Sequence, residues 1–159
     1  MEVLIEEINI YHFLNEIKEG VTTIIKQNKN TFIFDISDDL TIILSNSTKL
    51  RQILYNIIGN AAKFTSHGQV IVKTTNTEKN FIVFISDTGI GMTKEQLANL
   101  ASRFTQAEIS TTRKYGGTGL GMNLTKHLTD LLKIQLIVKS TQDKGTSFEL
   151  FIPLDYHAA

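Results

Sequence analysis

Apolar residues along this chain recur with two different periods, and the switches between them outline the domain. In LRQILYNIIGNAAKF, residues 50–64, Leu50, Ile53, Leu54, Ile57, Ile58 and Ala61 return every three or four positions, the period of a helix laid on a core. Gln52, Asn56, Asn60 and Lys63 form a polar stripe beside that face. At 100° per residue the four fall within roughly 80° of one another, along the rim of the buried surface. Ser47 or Thr48 is the expected N-cap. Ile10, Phe13, Leu14, Ile17, Val21, Ile24 and Ile25 predict a covering helix within 5–29, with room for a short strand at its start.

The other period is two. Thr31–Ile36 and Leu40–Leu44 predict two strands joined by a tight turn at Ser37-Asp38-Asp39. Gln69–Thr75 and Phe81–Ile85 predict a hairpin, and Ile134–Ser140 with Ser147–Leu154 a closing pair around Asp143-Lys144-Gly145. Thr93–Leu100 is a short helix capped by Thr93. Ser102–Gly117 has no steady period and is expected to be a long mobile loop, followed by an amphipathic helix at Gly119–Leu132. Paired strands between helices favour an α+β two-layer sandwich, its mixed, mostly antiparallel sheet covered on one face by helices.

Composition narrows the class. At 159 residues the chain is expected to be a single domain, 1–159 with a core of about 8–154. It holds no cysteine, so disulfides, thiolate metal sites and cysteine nucleophiles are excluded. Lys plus Arg and Asp plus Glu both number 16, which argues against nucleic-acid binding by counterion release. No apolar run approaches the roughly 18 residues of a membrane span, so no membrane contact is expected of this domain.

Candidate chemistry lies at the breaks in periodicity. Asn56, Asn60 and Lys63 could hold a hydrated Mg²⁺ and the phosphates it bridges, because Mg²⁺ takes oxygen ligands and keeps several waters. Gly116-Gly117-Thr118-Gly119-Leu120-Gly121 precedes a helix, where backbone N–H groups and the helix dipole favour an anion; Arg113 and Lys114 just ahead supply cations. It is neither a Walker A loop nor the dinucleotide fingerprint. Asp87 ends a strand beside Gly89 and Gly91, where a carboxylate could accept from a purine amino group while Phe64 covers the ring. Taken singly, each feature also fits a plainer role: a solvated helix face, a hinge, an Asp-Gly turn, a core phenylalanine.

Together, NIIGNAAKFT, DTGIGM, FTQAEISTTRKYGGTGLGM and GTSF resemble the N, G1, F, G2 and last glycine boxes of the ATP-binding catalytic domain of sensor histidine kinases, in the superfamily with gyrase, Hsp90 and MutL. The resemblance implies a Bergerat ATP-binding fold, with ATP and Mg²⁺ as cofactors. Asn60 would contact the metal, and Asn56 and Lys63 would face metal and phosphates. Asp87 would hold the adenine amino group in a pocket shaped by Gly89 and Gly91, with Thr146 assisting. Gly117, Thr118, Gly119, Leu120 and Gly121 would cradle phosphate under the lid.

The resemblance also implies a two-component function: transfer of the γ-phosphoryl group to a histidine on a dimerisation domain absent from this chain, with a response regulator receiver domain downstream. Gyrase-like ATPases carry a water-activating Glu where this chain has Asn56, and an amide cannot take that proton. None of His12, His67, His127 and His157 is followed by the acidic and basic residues of a phosphoacceptor. A cytoplasmic, monomeric module follows, whose parent kinase can be attached to the inner membrane. Alternatives are a regulatory module without transferase activity and an anti-sigma-type serine kinase. Two departures stand out: Ala101 replaces the first F-box aromatic, leaving Phe104, and Asp143 replaces a frequent glycine.

Overall fold

The computed structural model describes residues 3–36, 41–105 and 118–159. In chain order the elements are β1 (Glu6–Asn9), α1 (Ile10–Gln27), β2 (Thr31–Asp35), β3 (Ile42–Ser45), α2 (Ser47–Lys63), β4 (Gln69–Asn76), β5 (Asn80–Asp87), α3 (Lys94–Thr105), α4 (Thr118–Leu131), β6 (Gln135–Thr141) and β7 (Gly145–Pro153). Five strands form an open mixed sheet in the order β2-β4-β5-β7-β6, parallel only between β2 and β4. This is the expected α+β sandwich.

Strict alternation on β5 shows how the layers meet. Phe81, Val83, Ile85 and Asp87 are buried, and the residues between them are half-buried on the opposite face. The inward set packs against α2, whose Leu50, Ile53, Leu54, Ile57, Ile58, Ala61 and Ala62 are buried, as the three- and four-residue spacing predicts. Each large aliphatic side chain removed from water there contributes about 1.5–3 kcal/mol before chain ordering is counted.

Two expectations about local structure are corrected. Thr31–Ile36 and Leu40–Leu44 do not form a hairpin: β2 joins the edge of the main sheet, while β3 pairs antiparallel with β1, Ile8 opposite Ile43. The reason for β2 is Asn30. Its amide donates to the carbonyls of Ala62 and Thr65 at 3.3 and 2.8 Å, and its Oδ1 accepts from Gly68 N–H at 3.0 Å. It thus supplies donors to carbonyls at the end of α2 and holds the start of β2 beside β4, where Thr31 N–H reaches Gly68 O. Residues 37–40, where the tight turn was expected, lie outside the described residues.

The cap of α2 is Asn46, rather than Ser47 or Thr48. Asn46 Oδ1 accepts from Lys49 N–H at 2.9 Å while its Nδ2 donates to Leu4 O, so both ends of the amide are used; Ser47 instead donates to Glu6. At α3 the expected cap holds: Thr93 Oγ1 accepts from Gln96 N–H and Gln96 Oε1 from Thr93 N–H, a reciprocal capping box. That helix runs on to Thr105, so the first residues of the predicted loop are helical. The rest of it, 106–117, lies outside the described residues, and with it Arg113, Lys114 and Gly117.

Candidate ATP site

Three chain segments meet around Asp87. The first is the end of α2, where Phe64 O accepts from Ile90 N–H at 3.1 Å. The second is the loop after β5, and the third is the β6–β7 turn, where Asp143 N–H reaches Ile90 O at 2.7 Å. Ser140 Oγ ties the last two together, accepting from Met92 N–H at 2.7 Å and donating to Gly145 O at 3.0 Å. Its partner at 2.8 Å is the hydroxyl of Thr146.

Backbone contact this close admits no side chains. At Gly91, with φ +64°, a Cβ would lie 2.0 Å from Thr141 O; at Gly145, with φ +124°, it would lie 1.9 Å from Asp87 O. In both glycines the direction a side chain would take is filled by protein backbone, so the loop packs down only because they lack one. Asp143 also adopts positive φ, 65°. That conformation explains why a glycine suits this position and why Asp, which tolerates the left-handed region, can stand in for it.

Asp87 itself is 8% exposed. Its Oδ1 accepts from Gly89 N–H at 2.9 Å and Thr146 N–H at 3.3 Å, and no hydrogen bond among the described residues ends on Oδ2. Burial pushes this carboxyl above the ordinary 3.8 of an aspartate, against the opposing pull of those two N–H donors and of the Thr65 hydroxyl. A carboxylate oriented through one oxygen and left with the other for an outside donor is a directional acceptor. An exocyclic amine suits it chemically.

On α2, Asn56 and Asn60 face α4, half-buried. Asn56 Nδ2 donates to Thr125 Oγ1 at 3.4 Å and Asn60 Nδ2 to Met122 Sδ at 3.6 Å. These bonds occupy the amide nitrogens and leave the amide oxygens, the donor type that Mg²⁺ takes, so the residues present fit that ion. Lys63 is exposed, its ammonium 5.4 Å from the Phe64 ring centre, and Gln52 of the same stripe is exposed as well. Thr118, Gly119, Leu120 and Gly121 lie at the start of α4, on the helix that carries Met122 and Thr125.

The structure thus brings Phe64, Asp87, Gly89, Gly91 and Thr146 into one set of contacts, and sets Asn56 and Asn60 on α2 against α4. Sequence reasoning missed Ser140, Thr65, Met122 and Thr125. Thr125 and Thr129 carried a signal: both are polar, both occupy the buried stripe of α4 with Met122 and Leu128, and both are almost fully enclosed.

The family described as "Histidine kinase-, DNA gyrase B-, and HSP90-like ATPase" matches residues 45–156. The chain belongs to that ATP-binding family, and its similarity lies with the histidine kinase branch of it. It is 40% identical over 124 residues to hybrid signal transduction histidine kinase A of Dictyostelium discoideum, covering 70% of this chain and 6% of that protein. It is 32% identical over 158 residues to the autoinducer 2 sensor kinase/phosphatase LuxQ of Vibrio vulnificus, covering 94% of this chain and 18% of that one. The catalytic domain of histidine kinase ThkA has the same fold, with a TM-score of 0.80 at 19% identity over all of both chains. The chain therefore spans only a small part of the curated relatives it matches. Among the described residues no helix is long and apolar enough to cross a membrane.

Proposed function

We propose that this domain binds Mg-ATP and presents the γ-phosphoryl group to a histidine on a dimerisation domain of a parent sensor kinase, from which a response regulator receiver domain would take it. The observation that carries the reading is the orientation of Asp87: one oxygen on two backbone N–H groups, the other available to the adenine amino group. Thr146 sets that orientation through its own N–H. Phe64, whose carbonyl accepts from Ile90 N–H in the same loop, would cover the ring.

Asn60, with Asn56 and Lys63 beside it, would hold the metal and the phosphates from the α2 side. Arg113, Lys114 and the Gly117–Gly121 stretch would enclose the phosphates from the other. Bound Mg²⁺ would neutralise charge on the phosphate oxygens. The site has an amide, Asn56, where a water-activating carboxylate would stand. Its nitrogen is engaged by Thr125 and neither of its polar atoms is a base, which supports holding ATP until an imidazole nitrogen attacks. That attack breaks the bond to the bridging oxygen, releases ADP and leaves phosphohistidine, with the imidazole proton passing to solvent.

Calorimetry with a non-hydrolysable ATP analogue, with and without Mg²⁺, tests the binding half. The transfer half is tested by adding candidate dimerisation domains and following label into protein. Acid-labile phosphate identifies histidine; acid-stable phosphate would point to serine as the acceptor, and binding without any transfer to a regulatory module. A folded chain that binds no nucleotide would end the reading altogether.

A further inference from the structure

Thr65, immediately beyond α2, is 1% exposed, yet its hydroxyl has no hydrogen-bond partner. Its carbonyl accepts from Asn30 Nδ2 at 2.8 Å. The side chain is wedged between two glycines. A Cβ on Gly68 would lie 2.8 Å from its methyl carbon, and a Cβ on Gly89 would lie 2.6 Å from its hydroxyl oxygen. Gly89 is the residue whose N–H holds Asp87 Oδ1. The methyl therefore faces the α2–β4 turn and the hydroxyl faces the carboxyl loop.

An enclosed hydroxyl without a partner costs about 1–3 kcal/mol, and a valine of the same shape would avoid that cost. The chain keeps the hydroxyl beside the group that recognises the ligand. We infer that Thr65 is a positioning residue for Asp87: its hydroxyl completes a hydrogen bond to the Asp87 carboxylate when a purine amino group settles against the other side of that carboxylate. The inference rests on the nucleotide reading given above. Neighbouring the carboxyl without completing a bond of acceptable geometry, the hydroxyl already works against the rise that burial imposes on the carboxyl's pKa.

The test compares Thr65→Val and Thr65→Ser with the wild type, reading the affinity for the non-hydrolysable ATP analogue with Mg²⁺ and the melting temperature without ligand. Thr65→Val is expected to weaken binding about tenfold, while Thr65→Ser stays within about twofold of wild type. The melting temperature of the unliganded valine variant is expected to stay level or rise, because no bond is lost in the free state. A purely structural hydroxyl would lower it, and that result overturns the inference. Equal affinity in wild type and Thr65→Val, or equal loss in Thr65→Ser and Thr65→Val, overturns it too. Absence of binding in the wild type would instead defeat the nucleotide reading on which the inference stands.

Discussion

The wall around Asp87 and the seam between α2 and α4 are held in different ways. Around Asp87 the contacts join main chain to main chain, hydroxyl to main chain or carboxylate to main chain, at 2.7 to 3.3 Å, with two glycines admitting backbone where side chains would not fit. In the seam, among the described residues, Asn56 and Asn60 reach α4 through side-chain contacts of 3.4 and 3.6 Å, one of them to sulfur. The first construction fixes an acceptor before any ligand arrives, which suits recognition of a flat base with a set hydrogen-bond pattern. The second can exchange its protein partners for a metal ion and phosphate oxygens at little cost, since a contact at such length contributes little. On the proposed function, rigidity lies where the base would be read, and adaptability where charge would be handled.

Asp87→Asn attacks the wall with the largest expected effect. The asparagine Oδ1 can still accept from Gly89 and Thr146, so the fold and its melting temperature should persist. The other atom becomes an amide N–H donor facing an amino-group donor. A lost hydrogen bond to a charged acceptor costs about 1.5–3 kcal/mol, so analogue affinity should fall about 10- to 150-fold by calorimetry. Unchanged affinity would remove Asp87 as the anchor.

Gly91→Ala breaks the same wall from behind. Left-handed backbone with a side chain costs about 1–3 kcal/mol, and here the added carbon also meets Thr141 O at 2.0 Å. A loss of about 2–3 kcal/mol should lower the melting temperature by about 5–10 °C in a domain of this size. An unaltered melting temperature would mean that the wall yields as easily as the seam, and the contrast would fail.

Asn60→Ala probes the seam. Removing one long contact to Met122 should hardly change stability, while the gain in analogue affinity that Mg²⁺ confers should drop roughly tenfold and the Mg²⁺-free affinity should stay. Equal losses with and without Mg²⁺ would place Asn60 outside the metal's reach.

Much of this division was legible in the sequence, and the illegible part has a physical pattern. The helix period of residues 50–64 and the alternation on β5 depend on burial of a whole face, so they survive in composition and spacing. The glycines and Asp87 announce themselves because few residues can end a strand in that way. Partner choice is different. Nothing in the β-branched run at 31–36 says that Asn30 will tie it to the end of α2 beside β4, because that bond links residues more than 30 positions apart. Ser140 and Thr65 were missed for the same reason: a hydroxyl in a strand or after a helix is ordinary until the fold shows what faces it.

Acidity separates affinity from stability at Asp87. Its folded pKa is raised above 3.8, so the unfolded chain gives up this proton first as pH rises. In the window above 3.8 the folded state holds more proton than the unfolded one, and this group's contribution to stability decreases with increasing pH. Nucleotide binding needs the ionised form and should move the opposite way, weakening as pH falls toward 3.8. Affinity and melting temperature measured on Asp87→Asn and wild type across that range should differ with these opposite signs. If affinity does not depend on this carboxyl's ionisation, the acceptor role assigned to it is wrong.

Gly20→Ala is the smallest expected change and asks whether α2 transmits disturbance from one face to the other. Tyr55 faces α1, where its hydroxyl stands 1.9 Å from the place a Cβ on Gly20 would take; the adjacent Asn56 faces α4. The obstructing atom is the far end of a flexible side chain, so the ring can swing outward. Replacing glycine by alanine inside a helix gains about 0.8–1.0 kcal/mol in propensity, which offsets the displaced ring and leaves a net change within about 0.5 kcal/mol. Analogue affinity with Mg²⁺ should then be unaltered, because the seam's long contacts absorb a small shift of α2 and the wall is held by other segments. A loss of affinity without a loss of stability would show that the two faces of α2 are coupled, and that the seam is stiffer than its 3.4 and 3.6 Å contacts imply.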